Sequence, residues 1–215
     1  MCMSRHIPTI ILWLLTASGA CAATVSVSVT DSGGKPASNA VVSLMPSGGA
    51  QIASHAPEKS IIAQRDETFI PLVVIVRRGG EVVFTNNDTT MHQVYSFSAI
   101  KQFEFEIDQG QVAKPVVFDK PGVAAIGCNI HDQMISYVYV ADAPFAAITD
   151  ANGHAEIRDV PTGSYRATLW HPQLPLGHPW PASTLAVSGD AVKLSFSVSL
   201  LPSKPGGMKH MHMDY

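Results

Sequence analysis

Between positions 128 and 134 the chain reads Cys128-Asn129-Ile130-His131-Asp132-Gln133-Met134, placing a thiol, an imidazole and a thioether at every third residue. A loop this short can aim all three groups at one point. A second imidazole, His92, comes 36 residues earlier, within Phe84-Thr85-Asn86-Asn87-Asp88-Thr89-Thr90-Met91-His92-Gln93-Val94. Two imidazole nitrogens, one thiolate and a weak axial thioether make up the donor set that holds copper for one-electron chemistry. Zinc rarely takes Met, and a structural zinc site wants a fourth strong ligand. The pattern therefore points to one copper ion, held by His92, Cys128, His131 and Met134. Taken singly, His92 is an ordinary turn histidine and Met134 an ordinary core residue. The argument is carried by their joint spacing around one Cys.

The elements that must position these residues read as strands and turns. Apolar and polar residues alternate at Val25, Val27, Val29 and at Phe103, Phe105, Ile107, while Leu72 to Val76, Val82 to Phe84 and Ser136 to Val140 read as buried strands. Turn chemistry separates them at Ser32-Gly33-Gly34, Gly79-Gly80, Asn86-Asn87-Asp88, Pro121-Gly122, Asn152-Gly153 and Pro161-Thr162-Gly163. No segment carries a capped helical face, so an all-β sandwich architecture is expected. Cys128 should lie just past a strand over Val123 to Gly127. His92 should lie on a strand, turn, strand segment that a Greek key brings beside it.

Of the 215 residues, 46% are hydrophobic and 14% charged, with 16 Gly and 15 Pro in no fixed period. Disordered, collagen-like and coiled-coil readings are excluded. A formal charge of −3 leaves no basic surplus for nucleic acid. There is no Gly-x-Ser-x-Gly, no His-Glu-x-x-His and no P-loop, so hydrolase and phosphotransfer readings have no support and no enzymatic activity is expected. Arg5, the apolar run Ile10 to Leu15 and the small residues ending at Ala20-Cys21-Ala22 follow the plan of a secretory leader over residues 1–22, with cleavage expected after Ala22. Lipid attachment at Cys21 is the alternative, with Ser18 standing where an apolar residue is usual. Loss of the leader removes Arg5, taking the charge from −3 to −4, and leaves Cys128 as the single thiol. A lone thiol in an oxidising compartment needs burial or ligation. No other run is long enough to span a membrane as a helix.

Residues 58–142 resemble the cupredoxins. The likeness rests on Phe69 and Pro71 before a strand, on Gly79-Gly80-Glu81-Val82-Val83-Phe84 leading into the Asn-rich turn, and on Asp119-Lys120-Pro121-Gly122 ahead of the Cys strand. The Cys, +3 His, +6 Met spacing is closest to amicyanin-type members. The resemblance implies a Greek-key sandwich with a type 1 copper site, His92, Cys128 and His131 as equatorial ligands and Met134 as the axial one. It also makes the His131 edge the electron port, with Met91, Ile130 and Met134 in an apolar docking patch. In many cupredoxins an Asn follows the first ligand His and ties the two ligand loops together; here Gln93 stands there, and Asn86 or Asn87 is the candidate substitute.

A second resemblance frames the first. Val29-Thr30-Asp31-Ser32-Gly33-Gly34-Lys35-Pro36 with Asn39 to Leu44 is similar to the opening of a transthyretin-like, carboxypeptidase-regulatory-type sandwich. The matching continuation, Thr149 to Ile157 and Val160 to Ala167, comes about a hundred residues later. It implies a small sandwich split between residues 23–57 and 143–201, with the cupredoxin segment nested inside it; three tandem pieces are the alternative. The layout resembles bacterial methylamine-utilisation and plastocyanin-like proteins. It implies a periplasmic one-electron carrier, or an accessory to a periplasmic oxidoreductase, with a cytochrome or periplasmic dehydrogenase as redox partner. Copper storage or delivery to a copper-accepting partner is the rival reading. A cell-envelope carbohydrate-binding or interaction module with a structural metal is the third; Trp170 reads either as core or as an aromatic platform, a role Trp180 could share. The other histidines, His154, His171 and His178, have no metal spacing. Residues 202–215 are expected to form a flexible tail ending Met208-Lys209-His210-Met211-His212-Met213-Asp214-Tyr215; its donors suit copper capture, and a plain disordered terminus is the simpler reading.

Overall fold

A computed structural model describes residues 22–49 and 59–202, and among them every regular element is a strand. The leader upstream of Ala22, Cys2 and Cys21 within it, and the His/Met tail beyond Pro202 lie outside the described residues. The strands are β1 (Ala22–Asp31), β2 (Val41–Pro46), β3 (Lys59–Arg65), β4 (Thr68–Ile70), β5 (Val73–Arg77), β6 (Gly80–Asn86), β7 (His92–Ser98) and β8 (Lys101–Ile107). They continue with β9 (Val116–Phe118), β10 (Gly122–Cys128), β11 (Ile135–Ala141), β12 (Phe145–Ile148), β13 (His154–Pro161), β14 (Gly163–Trp170), β15 (Ala182–Val187) and β16 (Ala191–Val198). The expected all-β class is what the chain adopts.

The sheets sort by chain segment. Strands β13-β1-β16 form one sheet and β12-β2-β14-β15 another, so both are built from the two ends of the chain. Strands β3 to β11 form the other two sheets, ordered β5-β11-β10-β7-β8 and β4-β3-β6-β9. Each pair of sheets encloses its own core. Val25, Val27 and Val29 of β1 meet Leu44, Leu169 and Leu185 in the first, and Ile62, Phe84, Phe118, Ile126 and Val138 meet in the second. Alternation decides which side chains go inward: along β1 the residues Ala23, Val25, Val27 and Val29 are buried, and the residues between them less so. Two strands alone are marginal in water, and β1 gains partners on both edges, β16 in parallel and β13 antiparallel.

The two sandwiches touch through a third apolar cluster formed by Val41, Val73, Tyr139, Ala141 and Trp170. The Trp170 ring lies 5.4 Å from Tyr137 and 6.0 Å from Tyr139, and Ser43 Oγ is 3.3 Å from the Tyr139 hydroxyl. Trp170 is thus spent on this seam, 8% exposed, which is the core placement and not the accessible sugar platform; an indole with aromatic neighbours on the facing sheet is worth more buried than solvated. Trp180 packs on Tyr139 at 5.7 Å.

Candidate metal centre

The second sandwich brings the four sequence-predicted residues to one end. His92 opens β7, and Cys128 is the last residue of β10 rather than the first of the following loop. The two strands are antiparallel neighbours, with Cys128 opposite Val94. That register places His92 Nδ1 3.6 Å from Cys128 Sγ, across 36 residues of sequence. From Cys128 the chain turns back toward β11 through His131, whose carbonyl accepts a hydrogen bond from the Met134 N–H at 3.0 Å. The imidazoles of His92 and His131 lie 5.0 Å apart, centroid to centroid. One donor atom each from His92, Cys128 and His131 all fall within 4.8 Å of one another.

The burial follows the roles. His92 is wholly inaccessible, Cys128 and Met134 are each 2% exposed, and both of the latter belong to the core of the second sandwich. Met134 therefore cannot join Met91 and Ile130 in a surface patch, as the resemblance implied. Its thioether faces inward because its neighbours Ile135 and Gln133 take the solvent side of the chain as it enters β11.

The loops are tied by backbone and by polar side chains. The Asn129 N–H donates to the Gln93 carbonyl at 3.0 Å, joining the segments that carry Cys128 and His92. Gln93 thus links the loops with its main chain, which needs no particular side chain. The Gln93 and Asn129 amides both donate to Glu104 Oε1, at 2.8 and 2.9 Å. Buried Asn86 shapes the first loop: its amide donates to the Thr90 and Ile107 carbonyls at 2.8 and 2.9 Å, and its Oδ1 accepts from the Asp88 N–H at 2.9 Å. Of the two candidate Asn residues, it is Asn86 that organises the turn.

Two carboxylates complete the site, and the sequence did not single out either. Asp88 Oδ2 lies 2.8 Å from His92 Nε2, and the same carboxylate accepts hydrogen bonds from the backbone N–H groups of Asp66 and Glu67. Burial pushes the Asp88 carboxyl up, but the bonds from His92, Glu67 and Asp66 outweigh it and hold it below the ordinary carboxylate range. An ionised Asp88 takes the Nε2 proton as a hydrogen bond and leaves Nδ1 with its lone pair directed at the thiol, which is the usual outer support of a metal-binding imidazole. Glu67 lies near His131 more loosely, with Oε1 3.4 Å from Nε2, and its Oε2 accepts from the Gln133 amide at 3.2 Å. His131 Nδ1 is buried without a hydrogen-bond partner. Such an atom is costly to leave alone, and it belongs to a ring whose donor atom falls in the cluster with Cys128 and His92. Three convergent donors, one of them orphaned, fit a soft transition-metal cation.

Asp88 carried one faint signal, a carboxylate four residues ahead of a candidate ligand. Glu67 carried none, since it is 64 residues from His131 in sequence and reaches it through the β3–β4 turn.

No protein-family model and no curated protein matches the chain. Solved structures similar to part of it include a copper-containing nitrite reductase from Thermus scotoductus, 20% identical over 46% of this chain with a TM-score of 0.37; the match spans 25% of the reductase chain. A purple cupredoxin from Nitrosopumilus maritimus is 23% identical over 39% of this chain and 99% of its own, with a TM-score of 0.33. Amicyanin from Paracoccus versutus is 16% identical over 46% of this chain and 97% of its own, with a TM-score of 0.36.

Proposed function

We propose that His92, Cys128, His131 and Met134 hold one copper ion in a type 1 site, and that the protein is an exported, periplasmic one-electron carrier serving a redox partner. The observation that supports this reading is the convergence of one donor atom each from His92, Cys128 and His131 within 4.8 Å, with His92 Nδ1 3.6 Å from Cys128 Sγ and His131 Nδ1 buried without a hydrogen-bond partner. When bound in such a donor set, copper supplies a one-electron couple. The residues do the rest. Cys128 and Met134 supply soft sulfur from inside the core, where water does not compete. Asp88 holds the His92 imidazole with Nδ1 toward Cys128, so that these two donors are arranged before any cation arrives. His131, only partly covered, is the side chain through which the site reaches the surface.

Copper(II) added to the purified chain is expected to bind one to one and to give an intense visible charge-transfer band from the Cys128 thiolate. Cys128→Ser should abolish that band. A band that survives the substitution, or a chain that binds no copper, removes the assignment. Reduced, loaded protein should then exchange electrons with a redox partner faster than it loses metal to an apo copper enzyme. Rapid metal loss without electron exchange would make the protein a delivery factor instead.

A further inference from the structure

The turn between β3 and β4 has a backbone that its own residues do not favour. The two strands pair with Arg65 opposite Thr68, so Asp66 and Glu67 are the two residues of a tight hairpin, and both have φ of 51°. A two-residue turn with both φ values positive is ordinarily filled by Asn-Gly or Asp-Gly, because an L side chain in that region crowds its own backbone. Among the described residues four non-glycines have positive φ: Asn39, Asp66, Glu67 and Asp159. Three of them are Asn or Asp, which tolerate it. Glu67 is the exception.

The hairpin is held from outside, by Asp88. This carboxylate, 10% exposed, accepts the N–H groups of both turn residues while it receives the His92 Nε2 hydrogen at 2.8 Å. So held, the turn sends the Glu67 side chain to the 129–134 loop, where Oε2 accepts from the Gln133 amide at 3.2 Å and Oε1 lies 3.4 Å from His131 Nε2. The turn belongs to the β4-β3-β6-β9 sheet, whereas His92 and Cys128 stand on strands of the facing sheet. There the two ligand segments are already joined by the Asn129 N–H and the Gln93 carbonyl. The hairpin adds a second tie from across the sandwich, running from His92 through Asp88 and Glu67 to Gln133. Backbone strain persists where the surroundings over-determine it, and it clusters at functional sites.

We propose that Glu67 is a positioning residue of the metal centre: its left-handed backbone, imposed by Asp88, lets its side chain strap the 129–134 loop and so slows the escape of a bound ion. The effect on the ion rests on the copper reading, whereas the strap itself is testable without metal.

Glu67→Gly separates strain from strapping, since glycine adopts this φ freely but has no side chain to reach Gln133. In the metal-free, isotope-labelled full chain, hydrogen exchange at the Met134 N–H, which is bonded to the His131 carbonyl, should quicken roughly 2- to 10-fold, the worth of one hydrogen bond. Tm should meanwhile hold or rise. A residue kept for stability alone would loosen the loop and lower Tm together. Glu67→Gln, which can still accept from Gln133, should keep the exchange rate of the parent. With copper(II) bound, transfer of the ion to a chelator should quicken in Glu67→Gly by a similar factor and stay unchanged in Glu67→Gln. A lowered Tm in Glu67→Gly, exchange or copper release unchanged by it, or Glu67→Gln as loose as Glu67→Gly overturns the proposal. A chain that takes up no copper removes the metal assignment instead, and the exchange rates of the metal-free chain still decide whether the strap exists.

Discussion

Asp88 bears on more of the site than any ligand does. One carboxylate receives the His92 Nε2 hydrogen and the backbone N–H groups of Asp66 and Glu67, and Glu67 in turn lies 3.4 Å from His131 Nε2. Asp88→Ala should therefore loosen both imidazoles and weaken copper(II) binding about 10- to 100-fold, read by competition with a chelator. An affinity unchanged by the substitution would mean that the strands alone orient the rings. His171 offers a test at the same scale away from the metal. Its Nε2 donates to the Ser38 carbonyl at 2.9 Å and its Nδ1 accepts from the Gln173 N–H at 3.0 Å, so the neutral ring is the one the fold specifies. Burial pushes its pKa below the ordinary histidine value, against a smaller upward pull from the Ser38 carbonyl. The unfolded chain then binds this proton at a higher pH than the folded one. Stability from this group is complete above about pH 6.5 and is lost as the pH falls from there through the lowered folded-state pKa. Thermal melts between pH 7.5 and 5 should show this acid loss, and His171→Gln should flatten it.

At the scale of elements, the approach of β7 to β10 sets the ligand geometry. Gly127 pairs with Tyr95, and a Cβ at 127 would lie 2.6 Å from the Tyr95 ring carbon that bears the hydroxyl. The tyrosine thus lies across the residue before Cys128, and only glycine lets it do so. Gly127→Ala should cost about 1–3 kcal/mol, the range of overpacking, seen as a lowered Tm. Pairing it with Tyr95→Ala, which removes the ring, should recover part of that loss. Absence of any recovery would show that the strand backbone, not the ring, sets the limit. Much of this level was readable in advance: the alternation at Val25, Val27 and Val29 named the buried face of β1, and the run from Ser136 to Val140 fell within β11. The end of β10 was less readable, because Cys128 is both a buried side chain and a candidate metal donor, and both roles suit the last position of a strand.

For the whole molecule the seam matters most. Trp170 from the first sandwich is buried against Tyr137 and Tyr139 of the second, and truncating a large buried aromatic costs about 3–5 kcal/mol. If that cost falls on the contact between sandwiches, Trp170→Ala should turn a single calorimetric transition into two. A single transition shifted downward would instead mean that the ring chiefly supports its own sheet.

By itself the sequence determined an all-β chain and named a candidate donor set, because strand periodicity and donor chemistry are local: side chains alternate every second residue, and Cys128, His131 and Met134 fall at every third residue of one short stretch. Where each side chain would face depends on distant partners, and only the tertiary structure decided it. Met134 turned into the core instead of onto the surface, and Trp170 went to a seam that exists only once two sandwiches meet. Asp88 and Glu67, two carboxylates among seventeen acidic residues, became supports for the imidazoles through a turn brought near by strand pairing.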